Sequence, residues 1–185
     1  MLHYEMERKR TIAVIGGADV RKGTALYNIA YEIGELVVDN GFRLITGGLG
    51  GIMEAASEGA RSSKMWKDGD IIGILPGLDI DDANEFVDIA IPTGLGIGRN
   101  MIVTNADGVI AVGGGAGTLS EMAFSWQKGK PIVAFKVEGW SGELAGKAMD
   151  NRDGTRTIHG ADEPEEALKE IMRSMDHDDV SSSRS

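Results

Sequence analysis

"GVIAVGGGAGTLSEM", Gly108 to Met122, decides how this chain is read. Gly108–Gly114 is apolar, rich in β-branched residues and stopped by glycine, the pattern of a buried strand. From Thr118 to about Lys128 the residues favour a helix. Between the two lie Gly113, Gly114, Gly115 and Gly117. Glycine is unfavourable inside a strand or helix, so a cluster of it has a positional reason. The reason is either a tight turn or a ligand that must approach bare backbone.

The same strand-glycine-helix unit recurs on either side. "TIAVIGG" (Thr11 to Gly17) is a second buried strand, followed by an amphipathic helix from Thr24 to Asn40 with Leu26, Ile29, Ala30, Ile33, Leu36 and Val37 at helical spacing. "FRLITGG" (Phe42 to Gly48) is a third, followed by a helix over Gly51 to Ala60. "DIIGILPG", "FVDIAIPT" and "PIVAF" (Pro131 to Phe135) read as further strands, and the acidic stretch Gly77 to Glu85 reads as a surface loop. Ala167, Leu168, Ile171, Met172 and Met175 form the stripe of a last helix, with Asp162 as N-cap and Pro164 in the first turn. Alternating apolar strands and helices predict an α/β fold: one Rossmann-like, doubly wound parallel sheet with helices on both faces. A single domain over 1–176 is expected, with 177–185 as a disordered polar tail.

Composition narrows the function classes. The 185 residues suffice for one compact domain, and 27 glycines are an excess that the turns account for. The chain has no cysteine, which excludes disulfides, thiolate metal sites and a cysteine nucleophile. A net charge of -10 repels phosphate backbones, so no nucleic-acid partner is expected. No apolar run reaches spanning length and "MLHYEMERKR" lacks a signal-peptide core, so the expected location is cytoplasmic, with no membrane partner. His3, His159 and His177 have no metal spacing, and Asp79, Asp81, Asp82 and Glu85 lack the calcium-loop pattern; no metal is expected.

In an open α/β sheet, ligands sit outside the carboxyl ends of the strands. Gly16-Gly17, Gly47-Gly48 and Gly113-Gly114 all fall at that edge. Helix N-termini there leave backbone N–H groups unpaired and carry partial positive charge, which makes an anion site. The expected phosphate-binding set is Gly16, Gly17, Gly47, Gly48, Gly50, Gly114, Gly115, Gly117 and Thr118. No glycine turn is followed by lysine and serine or threonine, and no run satisfies GxGxxG, so a mononucleotide fits better than a dinucleotide. Glu121 has two readings from this motif: the far half of a Thr118–Glu121 capping box, or a ligand contact. On the first helix turn it lies opposite the stripe Leu119, Met122, Ala123 and Trp126. Arg99, in "GLGIGRNM", is a planar fixed cation suited to phosphate or carboxylate. Asp107, just before a strand, reads as a turn residue.

These motifs resemble the Lonely Guy family, also described as lysine decarboxylase-like. The resemblance covers roughly Thr11 to Phe135. The family's GGGxxGxM-like turn stands here as "GGLGGIM" (Gly47 to Met53), and its PGGxGTxxE motif as "GGGAGTLSE" (Gly113 to Glu121). The resemblance implies a phosphoribohydrolase that cleaves the N-glycosidic bond of nucleoside 5'-monophosphates, releasing base and ribose 5-phosphate. It implies Arg99 and Glu121 as catalytic residues and at least a homodimer. Trp126 and Met101 are the expected interface residues. Two departures stand out. Gly113 replaces the family's proline, and Asn100 follows Arg99 where lysine is usual. These features resemble a side branch that includes molybdenum cofactor carrier proteins, which bind a phosphorylated pterin without catalysis. Hydrolase and non-catalytic binder of a nucleotide or pterin phosphate are therefore both carried forward. Lysine decarboxylation is not expected, because it needs pyridoxal phosphate on a lysine and neither glycine motif contains one. No cofactor is expected.

Overall fold

The computed structural model describes residues 8–182 other than 153 and 155, with backbone alone from 178 to 182. Strands β1 (Thr11–Gly16), β2 (Arg43–Thr46), β3 (Ile71–Leu75), β4 (Ile89–Pro92), β5 (Gly108–Val112), β6 (Ile132–Phe135) and β7 (His159–Ala161) alternate with helices, except that a loop with one 3-10 turn (Ile80–Asp82) joins β3 to β4. The helices are α1 (Ala25–Asp39), α2 (Ile52–Ser62), α3 (Asn100–Val103), α4 (Ala116–Gln127), α5 (Trp140–Leu144) and α6 (Pro164–Ser182). The strands form one seven-stranded sheet in the order β4-β3-β2-β1-β5-β6-β7. Every pairing is parallel. The order runs outward from β1 in one direction through β2 to β4 and in the other through β5 to β7. The switch point therefore lies between β1 and β5, where such sheets bind ligands.

Successive strand residues point to opposite faces, and both faces are covered. Ile12, Val14, Ile110, Val112, Val133 and Phe135 pack with α1, α2 and α6. Ala13, Ile15, Val109, Ala111, Ile132 and Ala134 pack with Val103, Met122 and Trp126 on the α3–α4 side. Burial on two sides is why the strands read as continuous apolar runs rather than alternating ones. On the first face α1 and α2 approach until backbone meets backbone. Gly34 lies against the Ala56 carbonyl, and Gly59 against that of Tyr31.

Several expectations need correction. α4 starts at Ala116, with Gly115 as N-cap and no side-chain cap, so Thr118 and Glu121 form no capping box. The buried face of α4 is Thr118, Glu121, Met122, Ser125 and Trp126, rotated from the expected stripe so that Glu121 is inside it. α6 begins at Pro164, so the residue before it is Glu163 rather than Asp162, and its backbone continues to Ser182, into the expected tail; 183–185 lie outside the described residues. Trp126 is 6% exposed and belongs to the core, which removes it from any interface; Met101 is half-exposed. The five-residue α5 and the three-residue β7 were not anticipated, being too short to show a period.

Candidate functional site

The glycine turns after β1, β2 and β5 lie side by side because those strands are neighbours in the sheet. A crevice of about 240 Å³ opens there, lined by the turn Gly16–Asp19, by Gly47 and Met53, and by Arg99, Asn100 and the first turn of α4. Of the expected residues, Gly16, Gly17, Gly47, Gly115, Gly117, Thr118, Arg99 and Glu121 line it. Gly48, Gly50 and Gly114 do not. Gly48 has a φ of +74° and packs on Gly73. Gly114, at φ +86°, leaves room for the Thr118 side chain. Gly50 sits against the Ala18 carbonyl, outside the crevice.

The "GGGAG" cluster thus divides in two. Gly113 and Gly114 take positive φ, and their carbonyls accept from Ser141 and Trp140 at the start of α5. Gly115 and Gly117 have no neighbour within 4 Å of where a side chain would begin, and neither has positive φ. Nothing in the protein's own packing requires glycine at these two positions. They face the open crevice. The first intrahelical bond of α4 runs from the Leu119 N–H to the Gly115 carbonyl. The N–H groups of Ala116, Gly117 and Thr118 therefore have no partner within the helix.

Arg99 ends a 3-10 turn (Gly96–Arg99) and lies against α4. Its Nη1 is 3.4 Å from the Glu121 Oε1, and both side chains are buried, at 8% and 6% residue exposure. The guanidinium rests directly on Gly47, where any Cβ would collide with it. Gly47 is therefore a seat for Arg99. Asn100 donates to Ser120 Oγ at 2.9 Å and to the Gly117 carbonyl at 3.4 Å, which fixes the first turn of α4. Lys128, at the far end of α4, donates to the Met101 carbonyl, Thr104 Oγ1 and Asn105 Oδ1. It locks α3 to α4 and so holds Arg99 and Glu121 in register. No local pattern marks Asn100 or Lys128 for these roles. Asp107 accepts from the Thr11 N–H and hydroxyl, pinning the start of β1 to the segment before β5.

Burial raises the Glu121 carboxyl to about 7, with the Arg99 charge opposing that rise. Burial lowers the Arg99 pKa, and Glu121 partly restores it. The folded state therefore keeps a proton on Glu121 at pH values where the unfolded chain has lost it. Between about 4.5 and 7 the folded state binds the extra proton, so this group's contribution to stability falls as pH rises through that window. In thermal melts from pH 5 to 7.5, the wild type should lose stability relative to Glu121→Gln. A constant difference between the two across that range would show that Glu121 does not titrate there.

A second hollow of about 340 Å³ lies at the opposite edge of the sheet, near Trp126, Arg156, His159 and Arg173. Its basic side chains have structural work. Arg156 donates to the carbonyls of Trp126 and Lys130 at the end of α4, and Arg173 and His159 both contact Glu170. Among the described residues no set of His, Cys, Asp or Glu groups is placed to hold a metal ion, and no helix is long and apolar enough to cross a membrane.

The sequence model of the SLOG cluster4 family matches residues 9–168. An uncharacterized protein of Archaeoglobus fulgidus is 44% identical over 126 residues, covering 68% of this chain and 79% of the relative. Among solved structures, the molybdenum cofactor binding protein of Rippkaea orientalis is similar at 36% identity and a TM-score of 0.75, over 90% of this chain and 97% of its own. The molybdenum cofactor carrier protein of Chlamydomonas reinhardtii is similar at 28% identity and a TM-score of 0.73, over 90% of this chain and 99% of its own. The fold is thus the Rossmann-like α/β fold of these neighbours. The matched family is SLOG cluster4, and the Lonely Guy name of the motif resemblance is not among these matches. The carrier side branch is the part of that resemblance that recurs among the solved structures.

Proposed function

The chain belongs to the SLOG cluster4 family, and on that premise we propose that it is a binding protein for a phosphorylated small molecule of the pterin or nucleotide class. The observation that carries this reading is the pair Gly115 and Gly117, glycines that the protein's own packing does not need, above unpaired N–H groups at a helix start. A phosphate seated there receives those N–H groups and the helix dipole. Arg99 and Asn100 flank it. The likeness to two molybdenum cofactor proteins supports a pterin as the heterocycle.

The phosphoribohydrolase reading rests on Glu121, a crevice carboxyl that titrates near neutral pH. Against it, one oxygen of Glu121 is engaged by Arg99 at 3.4 Å, which leaves less of the carboxylate free to attack. The two readings separate in one experiment. AMP, GMP and a pterin monophosphate are incubated with the protein, and both bound ligand and released base are measured. A binder retains intact ligand. Release of base and ribose 5-phosphate that disappears in Glu121→Gln would establish the hydrolase. Gly117→Ala tests the seat itself. Nothing within 4 Å opposes the added methyl, so thermal stability should stay level or rise, while affinity for phosphorylated ligands falls by roughly tenfold or more. Unchanged affinity would move the phosphate elsewhere.

The chain is proposed to act as a homodimer. Ile97, 90% exposed, and Met101, 49% exposed, each stand two residues from Arg99 in the chain. Large exposed apolar residues beside a site mark a contact face. A monomeric mass by sedimentation at micromolar concentration would refute this assembly.

A further inference from the structure

Glu121 and Asp19 are the two carboxylates that line the crevice, and their circumstances differ. Glu121 is buried and paired with Arg99. Asp19 belongs to the β1 turn, on the wall formed by Gly16 and Gly17, and is exposed. Its Oδ1 lies back over Gly17, 3.2 Å from where a Cβ would stand. No described residue gives it a hydrogen bond or an ion pair. Asp107, by contrast, fastens a strand and Asp79 fastens a turn. Asp19 has no such structural task, yet it stands in the crevice with both oxygens available.

Charge decides what such a group can accept. Arg99 is the one cation among the described residues lining the crevice, against two carboxylates. A single phosphate is matched by the N–H groups of α4 together with Arg99. A second anionic group near Asp19 meets repulsion instead. The part of the ligand that meets Asp19 must therefore not be anionic and must be rich in donors, since an ionised carboxylate only accepts hydrogen bonds.

We propose that Asp19 selects the heterocycle of the ligand by accepting the paired N–H donors of a 2-amino-4-oxopyrimidine edge, the edge common to guanine and pterins. This rests on the reading of the crevice as a phosphate site. The ring N–H and the exocyclic amine of that edge lie side by side and meet both carboxylate oxygens at once, the fork geometry that makes bidentate pairs strong. Adenine presents one donor beside one acceptor, and its ring nitrogen would face a carboxylate lone pair. Hypoxanthine keeps the ring N–H and lacks the amine. Selection for the guanine-type edge thus follows from one exposed side chain, with no rearrangement of the glycine turns.

The test is equilibrium binding of GMP, IMP, AMP and a 6-hydroxymethylpterin monophosphate to the wild type, Asp19→Asn and Asp19→Ala. In the wild type, GMP and the pterin should bind about 10–100-fold tighter than AMP, with IMP between. Asparagine offers one acceptor and one donor, which fits the adenine edge, so Asp19→Asn should reverse the order of GMP and AMP. Asp19→Ala should level it. Asp19 is exposed and the Asn variant is isosteric, so melting temperatures should match the wild type. Equal affinity for all four ligands, unchanged in Asp19→Asn, would overturn the role of Asp19 and leave the phosphate site standing. A loss in Asp19→Asn that is equal for GMP and AMP, together with weak binding of 2',3'-dideoxy analogues to the wild type, would assign the carboxylate to ribose hydroxyls and also overturn it. Failure of every monophosphate to bind the wild type would instead remove the phosphate site, and this inference with it.

Discussion

Arg99→Leu should weaken binding of a phosphorylated ligand by at least roughly 30-fold, because Arg99 would be the protein's half of a charge pair with the bound phosphate, and truncating one partner of such a pair costs about 2–5 kcal/mol of affinity. Stability should fall too, and the fall should depend on pH. Without Arg99, nothing opposes the effect of burial on Glu121, and its carboxyl rises further above the usual carboxylate range. At pH 8 the variant must either ionise an unpaired buried carboxylate or hold a proton against solvent. At pH 5.5 the carboxyl is already neutral. The melting temperature of Arg99→Leu should therefore lie much nearer the wild type at pH 5.5 than at pH 8. The double variant Arg99→Leu/Glu121→Leu should regain most of the stability lost at pH 8, since an apolar pair in place of a buried ion pair is commonly neutral or better. It should not regain binding. If the single variant keeps full affinity, Arg99 is a structural partner of Glu121 and no part of the ligand site. The seat of Arg99 gives an independent check: Gly47→Ala displaces the guanidinium and should reproduce the binding loss with both charges still present.

The largest effect on stability is expected outside the crevice. A methyl group at Gly34 would stand 2.7 Å from the Ala56 carbonyl carbon and closer still to its oxygen. The obstacle is backbone on a neighbouring helix, so no side chain can rotate away. α1 and α2 would have to separate along the contact that also joins Gly59 to Tyr31. Overpacking of this kind costs about 1–3 kcal/mol and more where backbone must move. Alanine returns at most about 1 kcal/mol through helix propensity. Gly34→Ala should accordingly lower the melting temperature by roughly 5–10 °C. Adding Gly59→Ala should cost less than the sum, because the helices are already parted. A melting temperature at or above the wild type would mean that helix propensity outweighs the contact, and that α1 and α2 are not in backbone contact in solution. Gly117→Ala, with open space above it, is the matched control on a third helix.

The parallel α/β class was legible in the chain because strands buried on both faces leave a local trace. "IAVI", "VIAV" and "IVAF" are apolar without alternation, and each is bounded by turn residues. The glycine turns were legible as a set for a similar reason: a chain that must reverse from strand to helix needs residues free of a Cβ. Arg99 and Glu121 could be picked out as candidates by type and by motif. That they touch could not, since 22 residues and two elements separate them and no local period connects the end of a 3-10 turn to the second turn of α4. Nor could the burial of Glu121 be read. A helix turns the face its core demands, and Met122 and Trp126 carry their neighbours Thr118 and Glu121 inward with them. The capping box was a consistent local pattern that lost to a helix start two residues earlier.

The sequence by itself determined that this protein is a parallel α/β domain with glycine turns at one edge, because strand burial and turn conformation depend on residues within a few positions of each other. Only the tertiary structure decided what each glycine is for. Gly113 and Gly114 bend the chain, Gly34 and Gly59 let two helices meet, Gly47 seats an arginine, and Gly115 and Gly117 are left facing open space. All of them are the same letter in the sequence. What separates them is the atom that a missing Cβ would have met, and that atom belongs to another part of the chain, or, at the crevice, to none.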